Sequence, residues 1–186
     1  MSIFRIERDG EAKRFRHFQT SHASQVGERR LLWHGSPSVN FIGILSQGLR
    51  GNAQHKALPG RQGSIFFADI ADKSTGYSLK SNSASMVILL LLCEVELGKG
   101  LTPNTVRGSI AYLSPGSTDY NRWCDAGKVH PDLKGILMPD VSGGHSSATR
   151  SAYTTGGHKE WVVSDPAQVR QRYLFQVKVT TGGYYY

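Results

Sequence analysis

The sequence predicts an α+β fold built on mainly antiparallel sheets, and three observations carry that prediction. Strand-like apolar runs are short and recur along the chain. Only two stretches have the spacing of a helix. The linking segments, above all 98–134 and 139–158, are rich in Gly, Ser and Pro, and no internal repeat is present. Many short strands with few helices are the signature of a sheet-based α+β domain. The 186 residues, 39% hydrophobic and 19% charged, are enough for one soluble domain with a core of its own.

Residues 1–30 read as a polar lead-in, in which Arg5, Arg8, Lys13, Arg14, Arg16, Arg29 and Arg30 are interleaved with Phe4, Phe15 and Phe18. Aromatics beside arginines suit nucleic-acid binding; the commoner use is to pack the rings and solvate the charges. Leu31-Leu32-Trp33 then runs straight into His34-Gly35-Ser36. This predicts a buried strand whose last side chains are polar and whose glycine allows a ligand close to the backbone. From Ser38 to Leu49, Phe41, Ile44 and Leu45 have helical spacing, with Ser38 as N-cap and Gly48 as stop. Gly51 to Gly63, with Pro59 and three glycines, predicts a loop.

Ile65 to Ala68 is a short strand, and Asp69 suits the cap of a helix over 69–80. In that helix Lys73, Ser74 and Tyr77 share a face, being spaced i, i+1 and i+4. A hydroxyl and an aromatic ring aimed the same way fit a flat, amide-bearing ring; an amphipathic helix with a buried Tyr has the same pattern. Met86 to Leu97 begins as a continuous apolar run and ends alternating, Val95 and Leu97 against Glu94 and Glu96, which predicts a central strand emerging at a sheet edge. Gly135–Met138, Trp161–Val163 and Tyr173–Val179 complete the strands. Glu160 stands at the mouth of the second of these, where a carboxylate is either a solvent-facing strand start or a partly desolvated functional group.

Composition narrows the function. Twenty-two Lys and Arg against fourteen Asp and Glu leave a formal charge of +8, which attracts polyanions such as nucleic acid, acidic proteins or a phosphate-rich polymer, although the basic residues form no dense cluster. Cys93 and Cys124 are too few for a disulfide framework, and they lack metal-ligand spacing. The seven histidines are scattered. The N-terminus carries charge from the start and has no apolar signal core, and the longest apolar run, Met86 to Cys93, is too short to span a bilayer. An intracellular, reduced protein with no membrane partner is expected.

Leu31 to Ser36, then Gly63-Ser64-Ile65-Phe66-Phe67-Ala68-Asp69, then Lys73-Ser74 with Tyr77, then Lys159-Glu160-Trp161-Val162-Val163 occur in that order. Together these segments resemble the catalytic domain of the poly(ADP-ribose) polymerases, the ADP-ribosyltransferases with a His-Tyr-Glu triad, and the resemblance extends from Ile3 to about Val179. It implies two packed, mainly antiparallel sheets around an NAD+-binding cleft. It also implies that His34, Tyr77 and Glu160 are the triad. His34 would bind the adenosine-side ribose, the Gly35 backbone and Ser74 would hold the nicotinamide carboxamide, and Tyr77 would stack on the nicotinamide ring. Ser36, Phe67, Ala68 and Lys73 would line the same pocket. Phe66 stands where the family usually has a second stacking Tyr, keeping the ring and losing the hydroxyl. Residues 51–63 would be a donor loop and 139–158 much of an acceptor-side loop.

The resemblance further implies transfer of ADP-ribose from NAD+ to protein acceptors, the enzyme itself included, with release of nicotinamide and no metal. Cleaving the nicotinamide–ribose bond develops positive charge on the sugar, as in glycoside hydrolysis, so a ring clamp and one nearby carboxylate suit the chemistry. The complete triad leads to the expectation of polymer elongation, with single transfer as the alternative. With about thirty residues ahead of the first motif, no zinc-finger, WGR or helical regulatory domain is expected, and so DNA-independent activity by a monomer. Nuclear localisation follows from the family if the host is eukaryotic. A catalytically silent NAD+- or ADP-ribose-binding module and a basic nucleic-acid-binding domain are the rival classes.

Overall fold

A computed structural model describes residues 1–51, 63–68, 71–78, 85–98, 109–112, 128–138, 160–163 and 165–180. Its strands are β1 (Ser2–Arg5), β2 (Glu28–Gly35), β3 (Ile65–Ala68), β4 (Ser85–Gly98), β5 (Ser109–Tyr112), β6 (Lys128–Val129), β7 (Ile136–Met138), β8 (Glu160–Val163) and β9 (Val169–Thr180). The helices are α1 (Glu11–Ser21), α2 (Phe41–Gln47) and α3 (Ala71–Ser78), with short 3-10 turns at Ser38–Asn40 and Pro166–Gln168. This is the expected α+β architecture, mostly antiparallel sheet with few helices. Among the described residues no helix is long and apolar enough to cross a membrane.

The strands follow the order β1-β9-β4-β2-β3-β8-β5, and the parallel β2–β7 pair branches from that path. One half of the sheet is a set of long ladders: β4 pairs with β9 from Ser85↔Thr180 to Val95↔Val169, and with β2 from Glu28↔Gly98 to Gly35↔Leu90. The other half is short, β3 and β5 flanking β8 over four residues each. Among the described residues a single register pair, Trp33↔Ala68, joins the two halves. The cleft between sheets implied by the resemblance therefore corresponds to a seam in a continuous path of strands.

Sequence patterning explains the long half. β4 is flanked on both edges, and residues of both parities (Ile88, Leu90, Leu91, Cys93, Val95 and Leu97) are almost wholly buried. A strand covered on both faces reads as an unbroken apolar run. Its alternating end does not emerge at an edge: Glu94 and Glu96 are buried as well. Arg29 binds Glu94 at 2.9 Å, with Arg172 at 3.7 Å. Glu96 accepts from Gln19 Nε2 and from the Gly27 and Gly98 amides. Buried carboxylates are tolerable only with such partners, and all of them but Gly98 lie far away in sequence.

The polar lead-in contains two elements the periodicity did not reveal. β1 pairs with the outer edge of β9 and is exposed along its whole length. Helix α1 buries Glu11 and Phe15, spaced i, i+4. β5 and β6 likewise fall within a segment read as loop. Helix α2 is entered through the 3-10 turn rather than from a Ser38 cap, and it ends where expected: Gly48, at φ +88°, donates its amide to the Ile44 carbonyl. Phe41 and Leu49, just inside and just beyond that helix, are both in the main core with Leu32, Ile65, Phe67 and Trp161. The helix is thus pinned against the end of β2. The Asp69 cap, Lys159, Cys124 and the 139–158 loop lie outside the described residues, as does all of the 51–63 loop but its ends.

Candidate active site

β2 ends where the sequence turns from apolar to polar, and a cavity of about 680 Å³ opens there, within the range of small-molecule sites. His34, Gly35 and Ser36 line it from the strand end, Phe66 from β3, Tyr77 from α3, and α2 supplies the facing wall. Five of the expected residues are thereby brought to one concavity from three separate segments.

Gly35 is demanded by packing. A Cβ there would lie 1.8 Å from the Ser74 carbonyl oxygen, so only glycine lets α3 sit across the strand end. Ser78, one turn later, donates to the Leu89 carbonyl at 3.2 Å and ties α3 to β4. Ser74 is buried in that contact and Lys73 is partly buried. Neither is among the cavity-lining residues, whereas Tyr77, 47% exposed, is.

His34 is held by its neighbour strand. Its Nδ1 lies 2.9 Å from the Phe66 carbonyl oxygen, which can only accept, so Nδ1 carries the proton and Nε2 is left as an acceptor. Burial pushes the imidazole below its ordinary value, and the bond to Phe66 opposes that only in part. The ring is therefore neutral at pH 7. Ser36 accepts from Asn40 Nδ2 at 2.9 Å, which leaves its own hydroxyl proton for another acceptor. Phe67 turns the other way, into the core, with its ring tilted against His34 at 5.6 Å. Ala68 is buried beside it.

Glu160 opens β8, in register with Ala68 of β3 on one side and Tyr112 of β5 on the other. Its position is braced by the next residue. Trp161 is buried in the core, and the Arg30 guanidinium stands over its ring, 4.8 Å from the centroid. The strand bearing Glu160 is thus fastened to the strand bearing His34. The two ends of the 51–63 loop also meet: a Cβ on Gly51 would fall 1.5 Å from the Gly63 carbonyl oxygen.

The α2 wall was not anticipated. Asn40, Gly43, Gln47 and Gly48 line the cavity, as do Arg50 and Ser64. The signal for them was present in outline, since Gly43 and Gln47 are spaced i, i+4 on the helix that directly follows His-Gly-Ser; it lacked the knowledge of which face meets the strand end.

A model of the "Poly(ADP-ribose) polymerase catalytic domain" family matches residues 1–179. The chain belongs to that family. It is 36% identical to poly [ADP-ribose] polymerase 1 of Gallus gallus and 33% identical to poly [ADP-ribose] polymerase of Drosophila melanogaster, over 96% of its own length in each case. It is 30% identical to poly [ADP-ribose] polymerase 2 of Homo sapiens, again over 96%. It spans 17%, 18% and 30% of those relatives respectively, so the likeness is to their catalytic portion. A poly(ADP-ribose) polymerase catalytic domain is an NAD+ ADP-ribosyltransferase, and NAD+ is its substrate.

Proposed function

We propose that this chain transfers ADP-ribose from NAD+ to protein acceptors and elongates it into polymer, with His34, Tyr77 and Glu160 as the working triad. The observation that carries the reading is the convergence of His34, Gly35, Ser36, Phe66 and Tyr77 on one cavity, with Glu160 opening the strand paired to β3.

In this reading the neutral Nε2 of His34 accepts a hydrogen bond from a ribose hydroxyl on the adenosine side, and the Ser36 hydroxyl donates to a neighbouring acceptor. Gly35 presents bare backbone to the nicotinamide carboxamide, joined by Ser74. Tyr77 stacks on the nicotinamide ring, and Phe66 offers a second ring with no hydroxyl. With the ring clamped, the bond between the nicotinamide nitrogen and ribose C1′ breaks, its electron pair leaves with nicotinamide, and the sugar carbon becomes cationic. The Glu160 carboxylate stabilises that charge and orients the acceptor hydroxyl, whose oxygen bonds to C1′ as its proton passes to the carboxylate. Phe67 and Ala68, buried in the core, back the strand that carries Phe66. DNA-independent turnover by these 186 residues belongs to the same proposal.

The test is incubation with radiolabelled NAD+ without DNA, resolved on a denaturing gel beside Glu160→Gln. A ladder or smear that the variant loses is expected. The substitution should lower turnover about 10²–10³-fold, the usual cost of one preorganised electrostatic contact, with NAD+ binding intact. A sharp band in place of a ladder would mean single transfer. NAD+ binding without label or nicotinamide release would leave a silent binding module.

A further inference from the structure

We infer that Arg8, 37 and 38 residues of sequence away from the carbonyls it binds in the cavity wall, is a positioning residue for the NAD+ site. The inference rests on the function proposed above. A helix ends with carbonyls that lack intrahelical partners, and α2 ends beside the cavity, in Gln47 and Gly48. Two successive carbonyls of its last turn are taken up by Arg8, and a third, that of Ile44, is shared between the Gly48 amide and Gln171. Arg8 Nε donates to the Leu45 carbonyl at 3.0 Å and Arg8 Nη2 to the Ser46 carbonyl at 3.0 Å. Gln171 Nε2 donates to the Ile44 carbonyl at 2.9 Å.

The donors are themselves fixed by one buried carboxylate. Glu11, 3% exposed, accepts from Arg8 Nη1 through Oε1 at 3.1 Å and from the Gln171 amide through Oε2 at 3.0 Å. Gly48 completes the fit, because a Cβ there would stand 2.8 Å from Arg8 Nη1. Arg8, Glu11 and Gln171 thus bolt the last turn of the wall helix to α1 and to β9, the long and well-paired half of the sheet. A planar guanidinium suits this task, since it reaches two carbonyls and a carboxylate at once in fixed geometry; a lysine ammonium is a point charge on a flexible stem.

None of these three residues is among those lining the cavity. Removing them should let the α2 wall drift, which weakens binding, while the chemistry at Glu160 across the seam is unchanged. In Arg8→Met the NAD+ KM, and Kd by calorimetry, should rise by about tenfold or more, the scale of a lost charge-assisted pair of bonds, with kcat held within about twofold. Arg8→Lys, which keeps the charge and the Glu11 pairing, should show a smaller rise, and it decides the question if Arg8→Met does not fold. Millimolar methylguanidinium should restore part of the affinity of Arg8→Ala. A folded Arg8→Met with unchanged KM and Kd, or one that loses kcat at constant KM, overturns the positioning role while leaving the proposed function intact. A parent chain that neither binds nor turns over NAD+ overturns both.

Discussion

His34 and Gly35 show how much depends on single residues at the end of β2. The imidazole is neutral because burial opposes its charged form, so its folded value lies below the 6.5 it has when free. Between those two values the unfolded chain holds more protons than the folded one, and stability rises with pH across that window. Acidification below about pH 6.5 should therefore cost stability. In His34→Gln the slope of stability against pH, from urea titrations between pH 5 and pH 8, should flatten. A variant with the parent slope would place the acid sensitivity elsewhere. Gly35→Ala would drive a methyl group into the Ser74 carbonyl. Overpacking of this kind costs about 1–3 kcal/mol, and here it displaces the helix that carries Tyr77. Lower thermal stability together with loss of NAD+ binding is expected; a variant with full NAD+ affinity would show that α3 tolerates the shift. Cys93, by contrast, is chemically quiet: burial holds its thiol well above its usual range, the nearby Glu11 adds to that, and it stays protonated.

At the scale of elements, β4 and α2 are placed by contacts that their own periodicity does not contain. Alternation at the end of β4 is the ordinary pattern of a half-exposed strand, yet Glu94 and Glu96 are as buried as the leucines before them. Glu96 acts as a clasp, receiving Gln19 from α1 and the backbone amides of Gly27 and Gly98. Glu96→Gln turns one acceptor into a donor that faces donors. The expected loss is about 1–3 kcal/mol, the cost of a buried polar group left unsatisfied, read as a lower urea midpoint at unchanged slope. An unaltered midpoint would mean that the carboxylate contributes nothing net. Helix α2 is likewise only seven residues long, too short to be stable alone. Phe41 and Leu49 in the core, with Arg8 and Gln171 on its last carbonyls, turn it into a rigid wall.

For the molecule as a whole, the division of the sheet sets an order of stability. The β2-β4-β9 ladders are long, whereas β3-β8-β5 is short and, among the described residues, pairs with them at one position. Local opening follows such differences in contact and hydrogen bonding. Native-state hydrogen exchange should find the slowest amides in β4 and β9, with faster exchange in β3 and β8, and bound NAD+ should slow the latter pair most because the cavity spans the seam. Equal protection in both halves would show a single cooperative unit. Most of this architecture was legible in the chain. Strands β3, β4, β7, β8 and β9, the helix stop at Gly48 and the residues converging on the cavity follow from local patterning and ordered motifs, because apolar periodicity and glycine placement are properties of neighbouring residues. The edge strand β1, the helix α1, the burial of Glu94 and Glu96, the α2 wall and the Arg8–Glu11–Gln171 bolt could be decided only in three dimensions. Each depends on a charge or backbone group meeting a partner that is distant in sequence, and the cost of burying a polar group is set by that partner rather than by the residue's neighbours.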